Sequence, residues 1–147
     1  KGLHMRRDWD VIREILIAFE QDRFIEYANN VTLSANEIIL LNKQTDGMDE
    51  AERQEVKAGM LIEKRCEIWR HMELLQDCKL IVSTQFDTEG KNNCMRLSML
   101  GHDFLDAMRD PKTWNRITVK AKEAGISLTW ETVKVALPLV IKELITK

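Results

Sequence analysis

From Asp8 onward, Trp9, Ile12, Ile15, Leu16 and Phe19 return at intervals of three and four, so they share one helix face, and Asp8 is placed to cap the first turn. This spacing predicts a helix over about Asp8 to Gln21. Phe24 to Leu33 is less periodic, and Tyr27-Ala28-Asn29-Asn30 reads as a short extended piece followed by a turn. Ser34-Ala35-Asn36-Glu37 then forms a capping box ahead of Ile38, Ile39, Leu40 and Leu41, which predicts a short second helix ending near Thr45-Asp46-Gly47. Beyond Asp49, Val56, Met60, Leu61, Ile68, Trp69, Met72 and Leu75 thread onto one long helix or onto two helices broken near Gly59. The intrinsic cost of a glycine inside a helix favours a break or bend there.

The period then changes. Leu80-Ile81-Val82-Ser83-Thr84-Gln85 is β-branched and extended, Asp87 to Asn93 is rich in turn formers around Gly90, and Cys94 to Leu97 returns as a second strand. A β-hairpin with a polar, mobile tip is predicted. Ser98 can cap a helix that carries Leu100, Phe104, Leu105 and Met108. Asp110-Pro111 is an N-cap followed by proline at the first helical position, opening a helix through Trp114, Ile117 and Ala121 that stops at Gly125. A last helix from about Thr129 carries Trp130, Val133, Leu137, Val140, Ile141 and Leu144, with Pro138 expected to kink or break it.

A helix, a twisted hairpin and a further helix, in that order from Glu67 to Met108, is the plan of a winged helix, although unrelated α+β folds share such connections. The expected fold is mainly α with one β-hairpin: a winged-helix-like single domain over residues 5–147. It carries a helical insertion at about 29–64 and C-terminal helices at about 111–147. Lys1 to His4, ahead of Met5, read as the remnant of a tag.

Composition narrows the class. The 147 residues are 44% hydrophobic and 31% charged, with only 2 Pro and 6 Gly, which describes one compact domain and excludes fibrous and linker-like chains. Cys66, Cys78 and Cys94 are odd in number and form no C-x-x-C pair, and no apolar leader precedes them; reduced thiols in a cytoplasm are expected. The longest apolar run, Val135 to Ile141, is far short of the ~20 residues of a bilayer span. No membrane association is expected.

Three segments carry a family resemblance. They are Met5-Arg-Arg-Asp-Trp-Asp-Val-Ile-Arg13, His71-Met-Glu-Leu-Leu-Gln-Asp-Cys-Lys-Leu-Ile81, and above all Leu97-Ser-Met-Leu-Gly-His-Asp-Phe-Leu-Asp-Ala-Met-Arg-Asp110 with Trp114-Asn115. The tail from Lys120 to Gly125, and on through Leu144, is similar too. In these the chain resembles an uncharacterised family of small phage and prophage proteins, known only as a domain of unknown function. The resemblance implies a winged-helix-like fold and no particular activity. Between Asn29 and Lys64 the chain departs from the family pattern and holds an extra helical stretch.

Candidate chemistry is sparse. His71 and His102, taken with the three cysteines, match no zinc-ligand spacing and no placed Cys–His dyad, so they are read as structural. Asp103, Asp106 and Asp110 recur along one helix face as solvated charges or partners of Arg109 and Lys112. No phosphate-cradling glycine loop is present, and neither catalysis, metal nor cofactor is expected.

Two binding roles remain. A DNA-binding regulator would use Lys64, Arg65 and Arg70 on the candidate recognition helix, and Lys91, Asn92, Asn93 and Arg96 on the hairpin, against duplex DNA. Yet Arg53 to Arg96 carries eight basic and seven acidic side chains, and phosphate affinity depends on excess positive charge. The alternative is an interaction module that binds and modulates a host or phage protein through the acidic stretch Met5 to Met60, seven basic against twelve acidic residues, and the 29–64 insertion. The segment Val135 to Ile141 is apolar on every face, and is covered either by the chain's own helices or by a second copy. The second case predicts a homodimer through the C-terminal helix with Val135 and Leu139 at its interface.

Overall fold

The computed structural model describes residues 8–85, 90–125 and 128–145. Within them lie α1 (Trp9–Glu20), α2 (Phe24–Asn29), α3 (Ala35–Gln44), α4 (Glu50–Asp77), β1 (Ile81–Ser83), β2 (Met95–Leu97), α5 (Met99–Arg109), α6 (Pro111–Glu123) and α7 (Trp130–Ile145). The chain is mainly helical with one antiparallel hairpin, the class its periodicities predict. Ile81 pairs with Leu97 and Ser83 with Met95. The predicted Lys1–His4 remnant and hairpin positions 86–89 lie outside the described residues, as do the side chains of Trp130, Leu137, Ile141 and Leu144.

α1 is the central strut and packs against α2, α4, α5 and β2. Its predicted face is buried, with Ile15 and Leu16 at 0% exposure, and the Asp8 carboxylate accepts from the Asp10 and Val11 amides at its start. Around it Phe19 stacks on Phe24 at 4.4 Å, Trp69 meets Phe24 edge-on at 5.1 Å, and Trp9 lies 5.4 Å from Trp114. The core is therefore tied together by aromatic contacts among α1, α2, α4 and α6.

Two local expectations are corrected and a third is narrowed. Phe24–Asn29 is a helix, because Phe24 and Ala28 are one turn apart and both are fully buried. α4 runs unbroken for 28 residues through Gly59. A capping box at its start, Asp49 with Glu52, and the packing of its second half outweigh the ~1 kcal/mol cost of that glycine. Of the two outcomes expected at Pro138, a kink or a break, the break does not occur: α7 is one helix from Trp130 to Ile145. The other caps are as read from the sequence: the Ser34–Glu37 box, Ser98 accepting from the Gly101 amide, Asp110 followed by Pro111, and Gly125 in the left-handed region at φ 68°.

The junction between α4, the hairpin and α5 is tight. Leu80 N–H returns to the Leu75 carbonyl and Lys79 takes φ 64°, turning the chain out of α4 into β1. Ser98 N–H bonds the Leu80 carbonyl, and α5 sits so close that a Cβ on Gly101 would collide with that oxygen.

Candidate interaction surfaces

The seven side chains proposed for nucleic acid do not gather on one surface. On α4, Lys64 lies on the inward face, one helical turn before Ile68, where it holds α3 instead of facing outward. Its ammonium donates to the Thr32 carbonyl at 2.7 Å and to Glu37 Oε1 at 2.6 Å. Burial alone would raise the Glu37 carboxyl. The hydrogen bonds from Lys64 and from Ser34 outweigh it and hold the group below its ordinary 4.5. Arg65 and Arg70 are exposed but five residues apart, roughly 140° around the helix. Arg70 reaches Glu67 at 3.5 Å, and its outer face also bears Glu63, Glu73 and Asp77, so the exposed side of the expected recognition helix is net acidic.

On the hairpin, Asn92 is 6% exposed and serves as an anchor. Its Oδ1 accepts from the Phe24 amide at 3.0 Å, and its Nδ2 donates to the Phe19 carbonyl at 3.0 Å and to Asp22 Oδ1 at 3.1 Å. The neighbouring Lys91 carbonyl accepts from Ile25 N–H at 2.9 Å, and Asn93 holds φ 54°. This limb of the hairpin is bonded to the α1–α2 corner, and Asn92 has no side-chain group left for a groove. Arg96 is exposed on β2, with a guanidinium N–H on the Leu97 carbonyl at 3.2 Å. The sequence offered no sign of the anchor, since Asn92 and Asn93 look alike in a turn-rich stretch, and only the fold tells the buried amide from the exposed one.

The histidines and cysteines are dispersed. His71 is fully buried; its Nε2 accepts from the Asp8 amide at 3.0 Å, which leaves the ring proton on Nδ1 to donate to the Glu67 carbonyl at 2.7 Å. It joins the start of α1 to the middle of α4. His102, Cys66 and Cys94 are exposed and Cys78 is half-buried. Among the described residues no group of three or more His, Cys, Asp or Glu side chains is placed to hold a metal ion. Asp110 is a cap: its carboxylate accepts from the Thr113 hydroxyl and the Lys112 amide, and the Thr113 bond above all lowers its pKa. Asp106 stands 3.9 Å from Arg109, which also pairs with Glu20.

Among the described residues, large apolar side chains are exposed on several elements: Met99 at 82% and Leu100 on α5, Val119 on α6, and two further sets. α3 and its surroundings expose Ile38, Ile39, Leu40 and Met48, and α4 exposes Ile62, at between 43% and 64%. Within α3 Leu41 alone is buried, together with Thr45, which caps its end, and Arg53 of α4 adds to the attachment through Asn42 at 2.9 Å. Together α3 and the first half of α4 form an arm with an apolar exterior and an acidic tip of Asp46, Asp49, Glu50 and Glu52. The second set is on α7, where Val135 is 67% and Leu139 58% exposed. Neither set includes a residue of the nucleic-acid reading.

These features define a small helical domain with one hairpin and with exposed apolar side chains on several of its helices. The chain belongs to the family described as "Hypothetical protein (DUF2513)", whose model matches residues 6–127. The match stops before α7. No curated protein and no solved structure matches the chain. No described helix is long and apolar enough to cross a membrane.

Proposed function

We propose that this protein is a winged-helix-like interaction module, phage- or prophage-encoded, that binds and modulates a host or phage protein through the α3–α4 arm. The observation that carries this reading is the exposure of Ile38, Ile39, Leu40, Met48 and Ile62 on one projecting element. Isolated surface apolar residues need no explanation, but five within a span of 25 residues on a two-helix arm mark a contact surface. The acidic tip adds charge complementarity: the favoured partner has an apolar groove with basic residues at its rim. The near-neutral charge of Arg53 to Arg96 supports the same choice over duplex DNA, as does the use of Lys64 and Asn92 inside the fold.

The test is capture from a nuclease-treated bacterial lysate with the unaltered chain and with an Ile39→Asp plus Ile62→Asp variant. Both positions are more than half exposed, so the variant retains the fold. A protein retained by the first and lost by the second is the expected result. Capture only of nuclease-sensitive material, together with a salt-dependent mobility shift on duplex DNA, would replace this reading with a DNA-binding regulator using Arg65, Arg70 and Arg96.

A further inference from the structure

The exposed face of α7 is complementary to itself. Glu131, Val135, Leu139 and Lys142 follow one another at four, four and three residues and form one stripe, all four of them exposed. The opposite side is committed to the domain, with Val133 and Val140 fully buried, and on the flank beside Leu139 the Glu143 carboxylate bonds Arg116 and Lys120 of α6, each at 3.2 Å. Reversing the direction of α7 about residue 137 exchanges position 135 with 139, and brings position 131 within one residue of 142. Apolar then meets apolar and acid meets base at both ends, whereas a parallel pairing would set Glu131 against Glu131. A two-fold interface requires such self-complementarity, because each patch must serve as its own partner.

From this pattern we propose that α7 docks antiparallel on α7 of a second copy of this chain. Val135 packs on the partner's Leu139, and Glu131 faces the partner's Lys142. Val119 of α6, 43% exposed in the shallow groove with Arg116 and Glu143, lies alongside and widens the contact. A stable interface needs about 1,200 Å² in total, more than two side chains per copy supply, so the association is in the micromolar range. This inference rests on α7 alone and stands or falls separately from the α3–α4 arm.

Sedimentation velocity over about 5 to 200 μM protein reads the equilibrium directly. The expected result is a shift from monomer to dimer across that range. Leu139→Glu, at an exposed site, keeps the helical circular dichroism and stays monomeric. Glu131→Lys alone and Lys142→Glu alone each weaken the dimer about tenfold, since each sets like charges together at both symmetric ends, and the double swap restores it. A monomer at the highest concentration overturns the proposal, as does a dimer unaffected by Leu139→Glu. A double swap no better than the singles overturns the antiparallel register.

Discussion

Between Glu50 and Glu67 no residue of α4 is buried, whereas the next eight bury Ile68, His71, Met72 and Leu75. One continuous helix thus has two halves held by different forces. The second half is a wall of the core, fixed by apolar burial on α1 and α2 and by the His71 bridge to Asp8. The first half has the capping box, an ion pair from Lys64 and the small contact with α3. An isolated helix of that length is marginal in water, so the first half exists as an extension of a helix that the core has already nucleated. The arm it forms with α3 has little of its own stability to lose on binding, and its side chains have remained uncovered.

The largest expected effect comes from the junction that closes the core half. Gly101→Val places a branched side chain on the Leu80 carbonyl, where backbone from both sides leaves no room, and should cost about 3 kcal/mol or more or abolish folding. Thermal unfolding reads it. Retention of the parental melting temperature would show that α5 can draw back from β1, and that the junction is not what fixes the α4–hairpin–α5 unit.

Next comes a matched pair along the helix. Met72→Ala should lower global stability by about 2 to 4 kcal/mol in denaturant titration. Leu61→Ala, on the half-buried inner side of the arm, should cost below about 1 kcal/mol globally while increasing amide exchange in α3. Equal effects from the two would mean that the arm and the core unfold as one unit, and the distinction between the two halves would fail.

Much of this division is visible in the sequence, and the part that is not has a physical reason. Caps are local, so Ser34, Asp49, Ser98 and Asp110 announce their helices within four residues. The hairpin is announced by its β-branched run. The continuity of α4 through Gly59 is not, because a glycine's local penalty is overruled by tertiary packing nearly ten residues away. Ile38, Ile39 and Leu40 form an apolar run that on sequence alone resembles core, and exposure separates them from Leu41, which is 1% exposed. The charged candidates show the same limit: Lys64 and Arg65 are adjacent, yet one is turned inward to Glu37 and the other outward to solvent. Neighbours in sequence point about 100° apart on a helix, and charge patterning carries no orientation until the buried face is known.

A smaller effect distinguishes the halves by pH. Glu37 has a folded-state pKa below its ordinary value, so its contribution is complete above about 4.5 and is lost as pH falls through the lower folded value. Acidification from neutral into that range should loosen α3 before the core, seen as faster exchange of α3 amides while the Met72 region stays protected. Lys64→Met should shrink the pH step by removing the cation that stabilises the carboxylate, leaving only the part that the Ser34 hydrogen bonds supply. A step of unchanged size in that variant would assign it to another acid.

The smallest effect is the one that isolates the arm from everything else. Gly59 sits mid-helix in the first half of α4, exposed, with nothing within 4 Å of where a Cβ would stand. Gly59→Ala therefore adds no contact and removes none. It acts on the backbone: alanine has fewer unfolded conformations to lose, and should strengthen the helix by about 0.5 to 1 kcal/mol. Because the core half is already formed, the gain should appear mainly as slower amide exchange between Glu50 and Glu67, with the global unfolding midpoint nearly unmoved. If the midpoint instead rises by the full amount, the arm is part of the cooperative unit. Slower exchange with weaker capture of a partner by the arm would show that binding draws on its looseness; slower exchange with unchanged capture would mean the partner recognises the helix as already formed.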